Sequence, residues 1–87
     1  MQVNNGVAFR IHTVRPDREL KFDIDHNNTR ICSVAVGLFY VSVGDVGFTI
    51  SAHGIFKVEA GTECEVYNLS ESQEATLHVT LLSKDHY

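Results

Sequence analysis

The chain has no tryptophan, a single proline (Pro16), only two cysteines (Cys32 and Cys64) and a deficit of basic residues. Each shortage excludes something. Two cysteines are too few for a disulfide scaffold, so a reducing compartment is the default expectation. Seven Lys+Arg against eleven Asp+Glu, a net charge of −4, argue against a direct grip on nucleic acid, whose affinity comes mainly from phosphate contacts. No apolar run approaches the ~18 residues of a membrane helix, and Met1–Gly6 is too polar for a secretory signal; no membrane partner is expected. With 44% hydrophobic and 21% charged residues, the composition is neither disordered nor low in complexity. What is there is 87 residues, one domain's worth, spanning 1–87 with 1–6 expected as a flexible lead. A domain of this size buries only roughly 60–65% of its unfolded surface, so its core is thin and an oligomeric partner would add stability.

The hydrophobic period is two. Val7, Phe9 and Ile11 alternate with Ala8, Arg10 and His12, and Leu20, Phe22 and Ile24 alternate with Lys21, Asp23 and Asp25. Further strands are predicted over Ile31–Val36, Leu38–Val43, Phe48–Ser51, Ile55–Glu59, Cys64–Leu69 and Ala75–Leu82. Turn chemistry separates them: Arg15-Pro16-Asp17, His26-Asn27-Asn28, Gly44-Asp45-Val46-Gly47, Ala52-His53-Gly54, Ala60-Gly61-Thr62 and Ser70-Glu71-Ser72-Gln73. Seven or eight short strands with regular turns and no room for a long helix predict an all-β sandwich or small barrel. The stretch Ile31–Val43 is apolar on both parities: Cys32, Val34 and Val36 on one, Ile31 and Ala35 with Ser33 on the other. A sheet packed on one face only would carry polar residues on its outer set. The outer parity is therefore expected either to lie under another segment of the chain or to pack on a second copy.

The segment His53 to Asn68 resembles the second signature of the cupin superfamily, G-x5-P-x-G-x2-H-x3-N, with Gly61 and Asn68 matching and His53, Glu59 and Cys64 replacing its glycine, proline and histidine. Setting Gly37 on the last glycine of the first signature, H-x-H-x3-E-x6-G, puts Ile24 and His26 at its histidines and Arg30 at its glutamate. The resemblance implies a single cupin-type jelly-roll barrel. By strand alternation Ile24, His26, Arg30 and Cys64 share one inward parity. Metal-dependent cupins hold iron, manganese, nickel or zinc with three histidines and a glutamate. Here Ile24 cannot ligate, Arg30 repels a cation and Cys64 alone cannot rebuild the shell, while Asp23 and Asp25 alternate outward with Lys21. No metal, no cofactor and no catalysis are expected.

Within that superfamily the pattern is most similar to the C-terminal cupin of the centromere protein C (CENP-C) family. The residues are Val36-Gly37-Leu38-Phe39-Tyr40-Val41, Phe56-Lys57-Val58 followed by Gly61 and Val66-Tyr67-Asn68-Leu69, then Leu77-His78-Val79-Thr80-Leu81-Leu82. The similarity runs from Phe9 to Lys84. It departs at Glu59, Thr62 and Cys64, where the family has proline, asparagine and an aromatic residue. It implies a homodimerisation module of an inner-kinetochore protein, nuclear and centromeric, without enzymatic activity. It also implies docking of a peptide or domain from another centromere or meiotic regulator; the net charge favours a neutral or basic segment. That family's nucleosome-binding motif lies outside its cupin, so no DNA or histone contact is carried over. The competing expectation is a small-molecule-binding or enzymatic cupin with an atypical site. The discriminator is the interior, which Phe22, Val34, Val41 and Val66 should fill without a ligand-sized cavity.

The expected dimer face is the outer parity: Ile31, Ala35, Leu38, Tyr40, Ile55 and Tyr67. The remaining residues read as structural. Cys32 and Cys64 share the inward parity as buried free thiols. His12, His53, His78 and His86 lack metal-ligand spacing. Arg10, Arg15, Arg18 and Lys21, interleaved by Asp17, Glu19, Asp23 and Asp25, predict a salt-bridged solvated face. Asn27-Asn28-Thr29 and Asn68-Leu69-Ser70 fit the glycosylation pattern without a secretory signal beside them, and no G-x-S-x-G turn presents a nucleophile.

Overall fold

A computed structural model describes residues 7–83. The expectations for Met1–Gly6 and His86 lie outside the described residues. Eight strands form: β1 (Val7–Val14), β2 (Glu19–Phe22), β3 (Asn28–Val36), β4 (Leu38–Val43), β5 (Val46–Ser51), β6 (Ile55–Val58), β7 (Cys64–Asn68) and β8 (Ala75–Ser83). They make two four-stranded antiparallel sheets, ordered β1-β8-β3-β6 and β2-β7-β4-β5. The predicted strands match these closely. One turn is shorter than expected: Val43 pairs with Val46, so only Gly44-Asp45 bridges β4 and β5, and Val46 and Gly47 belong to the strand. A two-residue hairpin needs backbone angles that favour glycine, and Gly44 has φ +56°.

The inner faces supply the core. Cys32 and Val34 of β3, Phe56 and Val58 of β6, and Ala75, Leu77 and Val79 of β8 meet Phe39 and Val41 of β4 and Cys64 and Val66 of β7. Aromatic pairs join the sheets at both edges. Phe48 of β5 meets Phe56 of β6 edge-on at 5.5 Å, and His12 of β1 meets Phe22 of β2 at 5.2 Å.

Alternation fails at the end of β3. Val34 pairs with Leu77 but Val36 pairs with the adjacent Thr76, so one residue bulges and the parity inverts. Val36, expected on the inward set with Cys32 and Val34, is therefore 54% exposed. The chain then crosses from the first sheet to the second at Gly37. Its φ is +99°, and a Cβ there would stand 2.6 Å from the Cβ of Ala75, so only glycine fits the crossing. Gly61, at φ +86°, donates its amide to the Asp25 carbonyl at 2.8 Å and links the β6–β7 turn to the loop after β2. His53, which stands at a signature glycine, keeps that position's left-handed backbone with φ +75°, held by its amide on the Val34 carbonyl at 2.8 Å.

Asn68, the signature's last residue, is completely buried at the end of β7. Its amide nitrogen donates to the carbonyls of Val14 at 3.0 Å and Gln73 at 2.8 Å, and its oxygen accepts the Ser70 amide at 2.9 Å. One side chain thus ties the end of β1 to the loop before β8. Its second consequence is that this glycosylation pattern is inaccessible in the folded chain.

Candidate functional site

The four residues at the cupin ligand positions do not converge. Arg30 and Cys64 are buried, at 8% and 3% exposure, but Ile24 is 42% exposed and His26 is exposed as well. The expected shared inward parity of Ile24 and His26 is corrected by the end of β2. The strand stops at Phe22, and an Asp25 carboxylate oxygen accepts the amides of Asn27 at 2.9 Å and Asn28 at 3.0 Å. This side-chain turn breaks the two-residue period before Ile24 is reached. Asp25 does not alternate outward with Lys21 either; it borders the barrel mouth with its second oxygen bonded to the Asn28 amide. Those hydrogen bonds, the Asn28 side chain first, hold its carboxyl below the ordinary range. Among the described residues no three His, Cys, Asp or Glu side chains gather as a metal-holding group.

The donor set present does not suit a transition metal. Cys32 and Cys64 are buried free thiols on opposite sheets, near enough for Cys64 to bear on the charge of Cys32. Burial pushes the Cys32 thiol up to about 12 and the Cys64 thiol up to about 11, against the deprotonation that a metal ligand requires. Arg30 brings a buried positive charge to the same space, which repels a cation.

What converges instead is basic. A cleft of about 360 Å³ opens at the Phe22 end of the barrel, lined by Arg10, His12, Lys21, Phe22, Arg30 and Leu81 among others. Val34, Val41 and Val66 fill the interior as expected, at 2% exposure or less; Phe22 walls this cleft instead of closing it, so the expectation of no ligand-sized cavity is corrected at this end of the barrel. Arg10 and His12 were not legible as cleft residues. The apolar set Phe9 and Ile11 suggests that their alternates face solvent. The register shows the opposite: Arg10 pairs with Val79 and His12 with Leu77, both inward, while Ile11 is 61% exposed. The available clue was Val14, buried and on the parity of Arg10 and His12. The expected salt-bridged face is corrected too: among the described residues Arg10, Arg15, Arg18 and Lys21 make no ion pair, and the pair that forms is Lys57–Glu59 at 3.1 Å. His12 is held below its ordinary value by burial first, then by the charges of Arg10 and Arg30, and is neutral at pH ~7.

The outward apolar set divides between opposite sides of the molecule. Ile31, Ala35 and Ile55 lie on the outer face of the β1-β8-β3-β6 sheet; Leu38, Tyr40 and Tyr67 lie on that of β2-β7-β4-β5. The crossing at Gly37 separates them. On the second face the rungs Glu19–Tyr67–Tyr40–Thr49 and Lys21–Glu65–Ser42–Gly47 carry three charges. Both tyrosines there are engaged within the chain: Tyr67 donates its hydroxyl to Asp17, and the Tyr40 hydroxyl lies against Gly47. On the first face the rungs read Phe9–Thr80–Ile31–Lys57 and Ile11–His78–Ser33–Ile55. Phe9, Ile11 and Ile55 are 40%, 61% and 66% exposed, and the one Lys or Arg in these rungs, Lys57, stands on an edge strand paired to Glu59.

No protein-family model matches the chain, and no curated protein matches it. Solved structures do. The Schizosaccharomyces pombe Cnp3 cupin domain superposes with a TM-score of 0.84 at 17% identity, over 98% of this chain and 58% of that one. A Photorhabdus luminescens protein gives 0.83 at 17% identity, over 97% and 68%. A cupin 2 conserved barrel domain protein from Salinispora arenicola gives 0.80 at 13%, over 97% and 69%. The chain therefore spans little more than half of the Cnp3 chain it resembles, and the likeness establishes the fold: an all-β cupin barrel.

Proposed function

We propose that this cupin is a non-catalytic homodimerisation module, and that it pairs through the outer face of the β1-β8-β3-β6 sheet. The observation that carries the proposal is the pair of rungs in which Phe9, Ile11, Ile31 and Ile55 stand outward with a single edge lysine among them. Outward apolar side chains on three of the four strands, with Thr80 and His78 of β8 between them, are a costly surface for a monomer, and a two-fold pairing buries the same patch on both copies. Strands of eight, nine, nine and four residues at ~3.4 Å per residue and ~4.8 Å spacing give a flat footprint of about 490 Å². Side-chain relief and the flanking loops supply the rest of the ~800 Å² per partner that a standard interface buries. The face also brings few charges together, so the net −4 of each copy is held away from the contact. The interface differs from the expected six residues: Ile31, Ala35 and Ile55 stay in it, Phe9 and Ile11 join, and Leu38, Tyr40 and Tyr67 fall on the far side.

The finer assignment, to an inner-kinetochore protein of the CENP-C family in the nucleus, rests on the residues around Val36–Val41 and Phe56–Leu69 and is supported by the Cnp3 cupin domain's similarity to this chain. In that setting the dimer would hold two copies of a longer chain together and leave the Tyr40–Tyr67 face open for a peptide or domain of another centromere or meiotic regulator.

The test is sedimentation equilibrium at micromolar concentration on three variants. Ile11→Glu and Ile55→Glu, at positions exposed enough to spare the fold, are expected to give folded monomers; Tyr40→Glu is expected to remain dimeric. A monomeric parent protein, or dissociation by Tyr40→Glu alone, overturns the proposal.

A further inference from the structure

We propose that the cleft at the Phe22 end of the barrel binds a small organic anion with an apolar body, its carboxylate or phosphate gripped by Arg30 and Arg10. Arg30 is the core of the case. It is more than nine-tenths buried, yet among the described residues no carboxylate lies within ion-pair distance of it. One of its amino groups donates to the Asp23 carbonyl at 2.8 Å, and its guanidinium lies 5.2 Å from the Phe22 ring centroid. A carbonyl and a ring face orient the fork, and the Asp25 carboxylate, which feels its charge from beyond ion-pair distance, offsets it only in part. Most of its five donors remain for an incoming group. Among the described residues no buried side-chain nitrogen lacks a partner, so the donors that Asp23 does not take open into the cleft, and a bidentate oxyanion is the partner their geometry fits best.

The surroundings narrow the ligand. Arg10 on β1 places a second positive charge at the opening, while Lys21 borders it from the outer side of β2 on the rung with Glu65, so the two arginines set the sign of the site even though the whole domain is acidic. Of the two acidic residues at the rim, Asp25 already spends both oxygens on Asn27 and Asn28; Asp23 is exposed. Neutral His12, edge-on to Phe22, can donate a hydrogen bond without competing for the anion's charge. Leu20, Phe22, Val79 and Leu81 supply an apolar wall, which a bare inorganic ion would leave in contact with water. The volume, about 360 Å³, lies at the small end of ligand pockets. The site faces the barrel mouth and not the outer sheet faces, so it stands or falls independently of the dimer.

Calorimetric titration and amide chemical-shift mapping test this with benzoate, phenyl phosphate, neutral benzamide and inorganic phosphate as probes. Saturable binding of benzoate or phenyl phosphate, at least tenfold tighter than benzamide, is expected, with shifts confined to β1, β2 and the loop after it, the start of β3 and Val79–Leu81 of β8. The tighter of the two identifies a carboxylate or a phosphate ligand. Arg10→Gln, on an exposed edge-strand residue, should weaken binding about tenfold. Arg30→Met should abolish it while leaving the melting temperature unchanged or raised and the oligomeric state unaltered. Equal binding of benzamide and benzoate, tighter binding of inorganic phosphate than of either aromatic anion, or undiminished affinity in Arg10→Gln overturns the proposal. The Arg10→Gln result decides even if Arg30→Met fails to fold.

Discussion

Asn68→Ala is the perturbation whose cost follows most directly from the hydrogen bonds it removes. The side chain is fully buried and makes three hydrogen bonds, to the carbonyls of Val14 and Gln73 and from the amide of Ser70. Each such bond contributes a net ~0.5–1.5 kcal/mol, and a partner left buried without a replacement costs ~1–3 kcal/mol. The Val14 carbonyl belongs to a residue 4% exposed and stays dry on truncation, whereas the Ser70 and Gln73 groups lie on a surface loop and re-solvate. The sum is about 2–4 kcal/mol. For a domain that starts with ~5–10 kcal/mol, that is a large fraction, equivalent to a fall in Tm of roughly 10–25 °C. Urea denaturation followed by far-ultraviolet circular dichroism measures it, and an unchanged m-value would show that the denatured state is unaffected. Asn68→Asp sharpens the test. It keeps the volume and the acceptor for Ser70 but removes both donors and adds a buried negative charge, so it should cost at least as much as alanine. A loss below ~1 kcal/mol in Asn68→Ala, or an aspartate variant as stable as the parent, would refute the role given to this amide.

Gly37→Ala combines a φ of +99° with a Cβ 2.6 Å from that of Ala75; strain and overpacking together should cost about 2–4 kcal/mol, read as a lower urea midpoint, and a loss under ~0.5 kcal/mol would contradict the crossing geometry. With thiols pushed up to about 12 and about 11, Cys32 and Cys64 should be inert to a disulfide reagent at about pH 8 and both react in urea; rapid labelling of either in the native protein would show an open interior. His12, which shares its cleft with Arg10 and Arg30 and has Lys21, Asp23 and Asp25 at the rim, is depressed below 6.5 in the folded chain, by burial first and then by the two arginines. The unfolded chain therefore takes up more protons on acidification, so this part of the stability is present above pH 6.5 and is lost as pH falls below it through the folded value. The difference in urea midpoint between about pH 7.5 and about pH 5.5 should shrink in His12→Gln, and an unchanged difference would remove His12 as a cause.

The strand spans, the turns and the all-β class were legible in the chain because they depend on local chemistry. A two-residue period survives wherever backbone is extended, and Gly44, Gly61 and Pro16-Asp17 mark where it must reverse. The signature residues Gly61 and Asn68 likewise pointed to the cupin turn, one through its backbone and the other through its amide. What alternation does not say is which of two parities faces inward. On β1 the bulkier apolar set, Phe9 and Ile11, stands outside, and Arg10 and His12 point at the cleft, because the strand's register on β8 pairs them with Val79 and Leu77. Nor does it carry across an irregularity. One bulged residue turned Val36 outward, one aspartate-centred turn removed Ile24 and His26 from the barrel, and one glycine sent β3 and β4 into different sheets. Those three events depend on contacts between residues far apart in the chain, so only the tertiary structure decided them. With them it decided that the six outward apolar residues form two half-faces, and that of the four positions expected to share an inward parity only Arg30 and Cys64 are buried.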